Sequence, residues 1–563
     1  LQYFESNTGF TPPSAVRDAR LLSDPRDVAV RVFGANGISV IASLEYVCQS
    51  QFIRDATMNN GQVALGADTP YLVDKDGRQP FAWLGRYGLN FLHPRVEENM
   101  MQVARDLNRK FAGQPNFLGV NFNAYLGGDS LPSFTTQGWK DPLASSFDDV
   151  TVARFERETG AKVNITANDP QRFSKRAELL LSPALKEKWL QWRTEKTRDF
   201  FAKMQRDIGG KHSFVSLYID EHHAAAWKAG GRPVRDFLRQ FGWSPEVYQN
   251  QPGLWFPKWT HATQRYASML KIKNNELWPA AWDMSVGEEY NRTFDQPSNR
   301  ASFVMTHWQE HETYAETLED RDGWPRPFQM TYQAQANGDN ARELFTQNLL
   351  TTDPEMIIWG FSDLVMQTGH EQPLREFARV LRALPKAKLL PALNTTLQSN
   401  LVLREVRDGG KLWFIAANPC PWPLRAEVHV EKGVPVRDAV NSNLIAENKT
   451  GGHSVVPLDL NPYEVRAFRV DDTKAKLAGW KNQPVSDAEC AHARAVITDA
   501  EKLLTNKAFT TRLSAADRAF LTAQIAAANE ALASQHTALA WSIVSDWRFW
   551  SLARTQWIGG RPR

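Results

Sequence analysis

Two acids and two imidazoles follow one strand-like segment of this chain without a break. The apolar residues 214–219 lead directly into Asp220, Glu221, His222 and His223. Carboxyl and imidazole groups are costly to bury without a function, and they are common proton donors and acceptors in catalysis. The cluster is therefore a candidate for general acid–base chemistry. The alternative is a polar loop in which Asp220 caps a helix.

A second acidic cluster follows the apolar run that ends at Thr306. It places Trp308, Glu310 and Glu312 close together. Hydrolysis of a glycosidic bond needs one protonated and one ionised carboxyl group, about 5 Å or roughly 6.5–9.5 Å apart. An acid of the first cluster facing Glu310 or Glu312 would supply that pair. In the alternative, these acids are solvated on the outside of an amphipathic helix.

Further polar and aromatic residues follow or flank other strand-like segments. An amide can hydrogen-bond sugar hydroxyls, and an indole offers a flat apolar face to a sugar ring. The candidates for substrate contact are Asn121, Asn123, Asp129, His222, Trp278, Trp282, Trp308, Glu312, Trp359 and Asp363. Core packing is an equally good explanation for each tryptophan, and residues 127–129 also suit a turn.

The composition is that of an ordinary globular protein. The 563 residues are 42% hydrophobic and 23% charged, and they include 20 tryptophans, an excess that suits saccharide binding. The 66 Lys and Arg residues against 63 Asp and Glu give a net charge of +3, too small to indicate a nucleic-acid partner. No apolar run approaches the roughly 18 residues that span a membrane. We expect neither nucleic-acid binding nor membrane insertion.

The sequence predicts no cofactor. It has neither a P-loop nor a strand-linked G-x-G-x-x-G, and three distant cysteines, Cys48, Cys420 and Cys490, form no disulfide framework or zinc motif. No signal-peptide pattern precedes the first domain. Export to a bacterial periplasm or beyond is expected only because a polymeric substrate would lie there. A homo-oligomer is compatible with the composition.

Alternating strands and helices must position the candidate residues. The predicted strands are 38–46, 117–122, 214–219, 277–282, 303–306, 328–332 and 356–361, with helices over 95–111 and 183–208 among them. Seven strands are one short of a closed (β/α)8 barrel, so either a strand is missed or the sequence begins inside the domain. A barrel carries its working groups at the carboxyl ends of its strands, where both acidic clusters lie.

The sequence pattern changes after residue 385. Alternating runs over 401–406, 412–417, 426–430 and 465–470 predict a small antiparallel sandwich, and Ala/Leu-rich stretches over 487–504 and 515–552 predict helices. We therefore predict an α/β chain with a (β/α)8 TIM-type barrel over 1–387, with or without its first strand. A β-sandwich over 388–471 and an α-helical domain over 472–563 follow it. The sandwich and the helical domain most simply brace the barrel or mediate assembly. The alternative is a further sugar-binding role, for which Trp413 and Trp422 are the candidates.

Several segments resemble one family. Residues 117–134 and 147–160 resemble the barrel region of bacterial glycoside hydrolases and hydrolase-like proteins of the beta-galactosidase and clan-A group, and 189–193, 383–385 and 460–465 are similar to it as well. The resemblance implies a retaining mechanism, with a Glu acid/base after the fourth strand and a Glu nucleophile after the seventh. Glu221 is the nearest match to the acid/base. The strand ending at Tyr332 has no carboxylate, so the nucleophile would be Glu310.

The sequence thus favours a glycoside hydrolase that cleaves an oligo- or polysaccharide, with Glu221 or Asp220 as general acid/base and Glu310 as nucleophile or base. Two other hypotheses stay open. The missing carboxylate after Tyr332 suits a non-catalytic carbohydrate-binding barrel. The run from His307 to His311 also spells H-x-x-E-H, a zinc-hydrolase motif in which the two histidines bind metal and Glu310 activates water.

Overall fold

The computed structural model describes residues 25–44, 58–59, 62–63, 69–79, 81–82, 86–126, 134, 141–219, 230–231, 233–248, 251, 253–256, 301–305, 342–360, 371–447, 452–511, 513–546, 549 and 552–553. The chain divides into two compact units, Leu1–Lys258 with Glu276–Asn299 and Trp259–Asn275 with Arg300–Arg563. Each unit contains parallel strands of its own.

The first unit alternates strands and helices. Its elements are α1 (Pro25–Ala35), β1 (Val40–Leu44), β2 (Met58–Asn59), β3 (Gln62–Val63), β4 (Phe81–Ala82), β5 (Arg86–Tyr87), α2 (Pro94–Phe111), β6 (Phe117–Leu126), α3 (Asp149–Thr159), α4 (Arg172–Leu180), α5 (Lys186–Asp207), β7 (His212–Ile219), α6 (Val234–Gln240), α7 (Pro245–Tyr248) and β8 (Leu254–Trp255). Strands β1, β6, β7 and β8 form one parallel sheet in that order. The pairs β2–β3 and β4–β5 are short antiparallel ladders.

Helix α2 shows how local sequence sets an element boundary. Pro94 occupies its first turn, where the missing N–H has no helical acceptor to lose, and the Nδ1 of His93 accepts a hydrogen bond from the Arg95 N–H at 3.2 Å. Apolar residues at helical spacing, Val96, Met100, Val103 and Leu107 among them, are buried. The helix therefore packs by one face and ends at Phe111.

Aromatic side chains of α5 fill much of the core of the first unit. The indoles of Trp189 and Trp192 stack with centroids 5.2 Å apart, and the ring of Phe155 meets Trp189 edge-on at 5.0 Å. All three residues are buried. Burial of large aromatic rings in such offset and edge-on geometry is a strong source of stability, so α5 is a central packing element.

A glycine lets β6 approach β7 closely. Gly119 has φ +148°, and a Cβ placed there would lie 1.9 Å from the His212 carbonyl oxygen on β7. The register between β1 and β6 also shifts at this point, because Val40 aligns with Phe117 and Ile41 with Gly119. The glycine is therefore required both for its backbone conformation and for the strand spacing.

Substitution of Gly119 by alanine is expected to destabilise the protein by about 2 kcal/mol or more, because the new methyl group must push β7 away or strain the backbone. Chemical denaturation measures the loss. Gly113→Ala is the matched control, since no atom lies within 4 Å of a Cβ there. The control should stay within about 0.5 kcal/mol of the wild type. Equal stabilities for the two variants would contradict the structural role of Gly119.

The second unit begins with a parallel strand pair and continues with antiparallel sheets and helices. Its elements are β9 (Ala301–Met305), α8 (Glu343–Thr352), β10 (Met356–Gly360), α9 (Glu371–Ala383), β11 (Leu390–Pro391), β12 (Val402–Asp408), β13 (Lys411–Ala417), β14 (Leu424–Glu431), β15 (Val436–Asp438), β16 (Leu444–Ala446), β17 (His453–Leu460), β18 (Val465–Val470), β19 (Leu477–Asn482), α10 (Ala491–Thr505), α11 (Lys507–Thr510), α12 (Ala515–Ala533) and α13 (Thr537–Val544).

Two antiparallel sheets of this unit share one apolar cluster. The six-stranded sheet has the order β11–β12–β13–β18–β15–β16, and the three-stranded sheet has the order β17–β14–β19. Phe414 and Phe468 of the first sheet stack with centroids 5.0 Å apart and belong to the same cluster as Val428 and Leu458 of the second. The other face of the six-stranded sheet packs on α8 and α9 through Ile415 and neighbouring residues.

The last helices pack around a core of their own. Val496, Ile525 and Trp541 belong to one buried cluster together with Trp422, which follows β13. Trp422 is 3% exposed and meets Trp541 with ring centroids 5.9 Å apart. The suggested sugar-binding role of Trp422 is therefore wrong, because its ring is buried in this cluster and has no face open to a sugar. Trp413 is only half-buried, with the Arg469 guanidinium 5.8 Å from its ring.

Most of the predicted elements that fall on described residues are present. The predicted strands 38–46, 117–122, 214–219, 303–306 and 356–361 correspond to β1, β6, β7, β9 and β10, whereas 277–282 and 328–332 lie outside the described residues. β8 was not predicted. The stretch 515–552 is not one helix: α12 and α13 are separated by residues 534–536, where Gln535 has φ 61°.

The described strands do not close a barrel. The described parallel strands form a sheet of four in the first unit and a pair in the second. The (β/α)8 architecture and the three domain boundaries therefore stay predictions. Within the parts of the chain that the structure describes, no helix is both long and apolar enough to span a membrane.

Candidate functional site

The carboxyl edge of the four-stranded sheet is where the first acidic cluster begins. β6 and β7 run in parallel register to their ends, where Leu126 aligns with Ile219. The next two residues after Ile219 are Asp220 and Glu221. Because parallel strands end at a common edge, the last residues of β6 and β7 lie side by side. The chain itself from Asp220 to His223 lies outside the described residues.

The two faces of this sheet differ. Phe122 points to α5, where its ring lies 5.3 Å from that of Phe201. Successive strand residues alternate in direction, so Asn121 lies on the opposite face, aligned with Ser43 and Phe214. Asn121 is 4% exposed, which makes it a buried polar group of the sheet interior. Asn123 is placed by backbone register alone, opposite Ser216.

An imidazole that the sequence interpretation missed lies at the amino end of β7. The His212 ring is 5.4 Å from that of Trp255 and 5.9 Å from that of Phe214. Burial lowers its pKa, with a further contribution from Lys211, and its buried Nδ1 has no hydrogen-bond partner in the part of the chain that the structure describes. A neutral imidazole among aromatic rings, at the end of the strand away from Asp220, suits packing better than proton transfer.

The segment 147–160, which carries much of the family resemblance, forms α3 and its cap. Asp148 is fully buried, and its Oδ1 accepts hydrogen bonds from the Thr151 N–H at 2.8 Å and the Asn90 Nδ2 at 2.9 Å. The adjacent Asp149 pairs with Arg176 at 2.7 Å. These acids fix the start of the helix against the rest of the unit, and their role here is structural.

The pKa of Asp148 gives a testable pH dependence. Burial raises it to about 6 against a usual 3.8, although hydrogen bonds from Thr151 act to lower it. Between pH 4 and 6 the folded state then binds more protons than the unfolded state, so the free energy of unfolding falls as pH rises through this window. The contribution of this one group is roughly 3 kcal/mol.

Asp148→Asn should remove that fall, because asparagine keeps an oxygen for the Thr151 N–H and does not titrate. Urea denaturation at pH 4, 5, 6 and 7 measures the slope. Asp236→Asn, at an exposed position on α6, is the control and should leave the slope as in the wild type. Parallel pH profiles for Asp148→Asn and the wild type would show that Asp148 is not the titrating group.

The far end of α3 holds another carboxylate in a structural role. Glu158 accepts hydrogen bonds from the Arg154 Nε at 2.7 Å and the Trp192 Nε1 at 2.9 Å, and Lys196 lies 2.9 Å away. Burial acts to raise its pKa, but these three donors outweigh it and lower the pKa to about 2. Glu158 is therefore ionised at all relevant pH values and is unsuited to donate a proton.

A buried anchor holds the chain between β6 and α3. The Phe134 ring lies 5.0 Å from that of Phe91 and 4.6 Å from the guanidinium carbon of Arg193. Its carbonyl oxygen accepts hydrogen bonds from the hydroxyls of Ser145 at 2.5 Å and Ser146 at 2.8 Å. The connection between β6 and α3 is thus fixed at Phe134.

Arg193 is unusual within this anchor. It is fully buried, and its Nη2 donates to the Pro142 carbonyl at 3.3 Å, while Nε and Nη1 have no hydrogen-bond partner among the described residues. Burial lowers its pKa to about 9, although Asp141 acts to raise it. A guanidinium held by rings and carbonyls rather than by a carboxylate depends on the Phe134 ring for much of its stabilisation.

The second acidic cluster follows the parallel pair of the second unit. β9 and β10 end together, with Met305 aligned to Gly360, and Trp359 aligns with Val304 by backbone register. The chain after each strand, including the second acidic cluster and Asp363, lies outside the described residues. The two acidic clusters belong to different compact units, so their convergence stays a prediction.

Most of the candidate residues have no described position. Those outside the described residues are Glu221, Asp220, Glu310, Asp129, His222, Trp278, Trp282, Trp308, Glu312 and Asp363. The H-x-x-E-H run is among these segments. In the part of the chain that is described, no group of three or more His, Cys, Asp and Glu side chains is arranged to hold a metal ion.

Comparison with known proteins gives similarity to solved structures alone. No protein-family model matches the chain, and no curated protein matches it significantly. An Anoxybacillus alpha-amylase has a TM-score of 0.36 and 10% identity, over 80% of this chain and 79% of that chain. A Geobacillus thermoleovorans alpha-amylase complexed with acarbose has a TM-score of 0.34 and 11% identity, over 80% of this chain and 92% of that chain.

An acarbose-soaked debranching enzyme from Nostoc punctiforme is similar at a TM-score of 0.36 and 10% identity, over 79% of this chain and 78% of that chain. These three are alpha-amylases and a debranching enzyme, not beta-galactosidases. With TM-scores below 0.4, the similarity assigns neither a fold nor an activity to this chain.

Proposed function

We propose that the chain is a glycoside hydrolase that cleaves a glycosidic bond in an oligo- or polysaccharide with two carboxyl groups. The paired ending of β6 and β7 carries the proposal: Leu126 aligns with Ile219, and the chain passes from Ile219 straight into Asp220 and Glu221. In α/β enzymes the reacting groups gather at this edge of the sheet.

In the proposed mechanism Glu221 or Asp220 is the general acid/base and Glu310 is the nucleophile or base. A retaining enzyme requires the acid to be protonated, its partner to be ionised, and the two carboxyl groups to lie about 5 Å apart. This requires the loops after β7 and β9 to converge on one cleft. The mechanism needs no organic cofactor, and a polymeric substrate would place the protein in a bacterial periplasm or outside the cell.

A turnover screen tests the proposal. The full chain is incubated with a panel of aryl glycosides and polysaccharides, with and without EDTA, and release of the aryl group or of reducing ends is measured. We expect turnover of at least one glycoside that is insensitive to the chelator.

Two other results would support the rival hypotheses. Saturable sugar binding without turnover on any member of the panel would favour a carbohydrate-binding protein. Peptide hydrolysis that is lost on chelation and restored by zinc would favour the metallohydrolase built on His307, Glu310 and His311.

A further inference from the structure

A small cleft lies within the second unit, between α9, the start of β18 and the turn after β15. Its volume is about 240 Å³. Drug-sized ligands occupy sites of roughly 300–1,000 Å³, so this cleft fits a smaller molecule, about the size of one sugar ring. None of the residues proposed for catalysis lines it.

The apolar part of the lining is rigid. Phe377 and Val380 of α9 pack with Val465 and Ala467 of β18 in one buried cluster. These four residues also line the cleft. They provide an apolar surface whose shape is set by the packing of helix on sheet, so it is present before any ligand binds.

The turn after β15 forms the polar rim and is equally fixed. The Oδ1 of Asp438 accepts hydrogen bonds from the backbone N–H groups of Val440 at 2.8 Å and Asn441 at 3.0 Å. The Ala439 N–H donates to the Ala467 carbonyl at 2.9 Å, which ties the turn to β18. The rim therefore holds Asp438 and Asn441 in defined positions.

Some charged side chains of the lining form ion pairs with one another, and others do not. Glu376 pairs with Arg342, and Glu464 pairs with Arg466 at 2.7 Å. Within the described parts of the chain, the exposed Arg379 donates no hydrogen bond, although its charge acts with that of Arg342 to lower the pKa of Glu376. The Oδ2 of Asp438 accepts no hydrogen bond from a described residue, whereas its Oδ1 accepts two. The cleft thus offers unused guanidinium N–H donors and an unused carboxylate oxygen beside an apolar wall.

The charge balance decides which ligand suits this arrangement. Three guanidinium groups, of Arg342, Arg379 and Arg466, face three carboxylates, so neither an anion nor a cation is attracted overall. A ring with hydroxyl groups can donate to Asp438, accept from Arg379 and lay its C–H face on the apolar wall. We propose that this cleft binds one neutral sugar ring, independently of the proposed catalytic clusters.

Calorimetric or saturation-transfer NMR titration of the full chain tests this inference. The Glu221→Gln variant is used, so that turnover does not consume the probes: the methyl glycosides of glucose, galactose, mannose and xylose. We expect saturable binding of at least one glycoside, and a loss of roughly tenfold or more in affinity in both Arg379→Ala and Asp438→Asn. Asparagine keeps an Oδ1 acceptor, so the second variant preserves the turn.

Arg375→Ala is the matched control, because Arg375 is exposed on α9 one turn earlier and does not line the cleft. It should bind as the parent does. Absence of binding by all four glycosides, or equal affinities in the parent and both cleft variants, would overturn the inference. Sodium glucuronate and glycine are titrated in the same way. Binding of either of these ligands, with no binding of a glycoside, would also overturn the inference. Failure of the turnover screen would leave these titrations interpretable, since they involve no catalysis.

Discussion

Replacement of Glu221 by glutamine is expected to lower kcat/KM on the glycoside identified in the turnover screen by ~10²–10⁴-fold. Glutamine is close in shape to glutamate but cannot give or take a proton at the leaving-group oxygen. Glu310→Gln should cause a loss of similar size, because it removes the ionised partner. Neither variant should change the free energy of unfolding by more than about 1 kcal/mol.

The pH profile distinguishes the two roles. A two-carboxylate enzyme gives a bell-shaped dependence of kcat/KM on pH, and the variant that lacks the acid should lose the alkaline limb. Glu178→Gln, at an exposed position on α4, is the control and should match the wild type. Near-wild-type rates in both Glu221→Gln and Glu310→Gln would show that these carboxylates are not the catalytic pair.

The parallel strands could be predicted from sequence because they are apolar runs of strand length. Residues 117–122 and 214–219 fit that pattern, and both lie in strands that are longer than predicted. β6 continues past Asn123 to Leu126, since pairing with β7 extends it beyond the predicted end at Phe122. β8 has only Leu254 and Trp255, too few residues for any periodicity to appear.

The candidate site could be predicted only in part, because distances between side chains and their burial depend on tertiary contacts. Sequence identified acids after strands, but spacing along the chain does not give the distance between Glu221 and Glu310. It also gave no sign that Asp148 is buried, because that follows from Asn90, a partner 58 residues away. The break at Gln535 was missed for a different reason: segments rich in Ala and Leu continue on both sides of it.

The anchor at Phe134 is the second site where a large effect is expected. Phe134→Ala should lower the free energy of unfolding by roughly 3–5 kcal/mol, the usual loss when a buried aromatic ring is removed. The ring fills the space between Phe91 and Trp192, and a Cβ on Gly242 would already lie 2.9 Å from it. The cavity left behind would be bordered by the Arg193 guanidinium, which then loses its cation–π contact.

Ser145→Ala tests the contribution of the Phe134 carbonyl oxygen to stability separately from that of the Phe134 ring. It removes one of the two hydroxyl donors to the Phe134 oxygen and leaves the ring in place. We expect a loss of about 1 kcal/mol, measured by urea denaturation beside Phe134→Ala. A loss within about 1 kcal/mol for Phe134→Ala itself would show that the ring is not a principal anchor of this unit.

Kinetic measurements on Phe134→Ala test whether the anchor at Phe134 also affects substrate binding. Phe134 lies in the connection between β6 and α3, and its own side chain is fully buried, so it cannot touch a substrate. If the connection borders the glycoside site, Phe134→Ala should raise KM several-fold at temperatures where the variant is fully folded, because a loosened loop must be ordered on binding. Glu221→Gln should instead act mainly on kcat, since it removes an interaction made in the transition state. An unchanged KM in folded Phe134→Ala would confine the anchor to stability and separate this connection from the site.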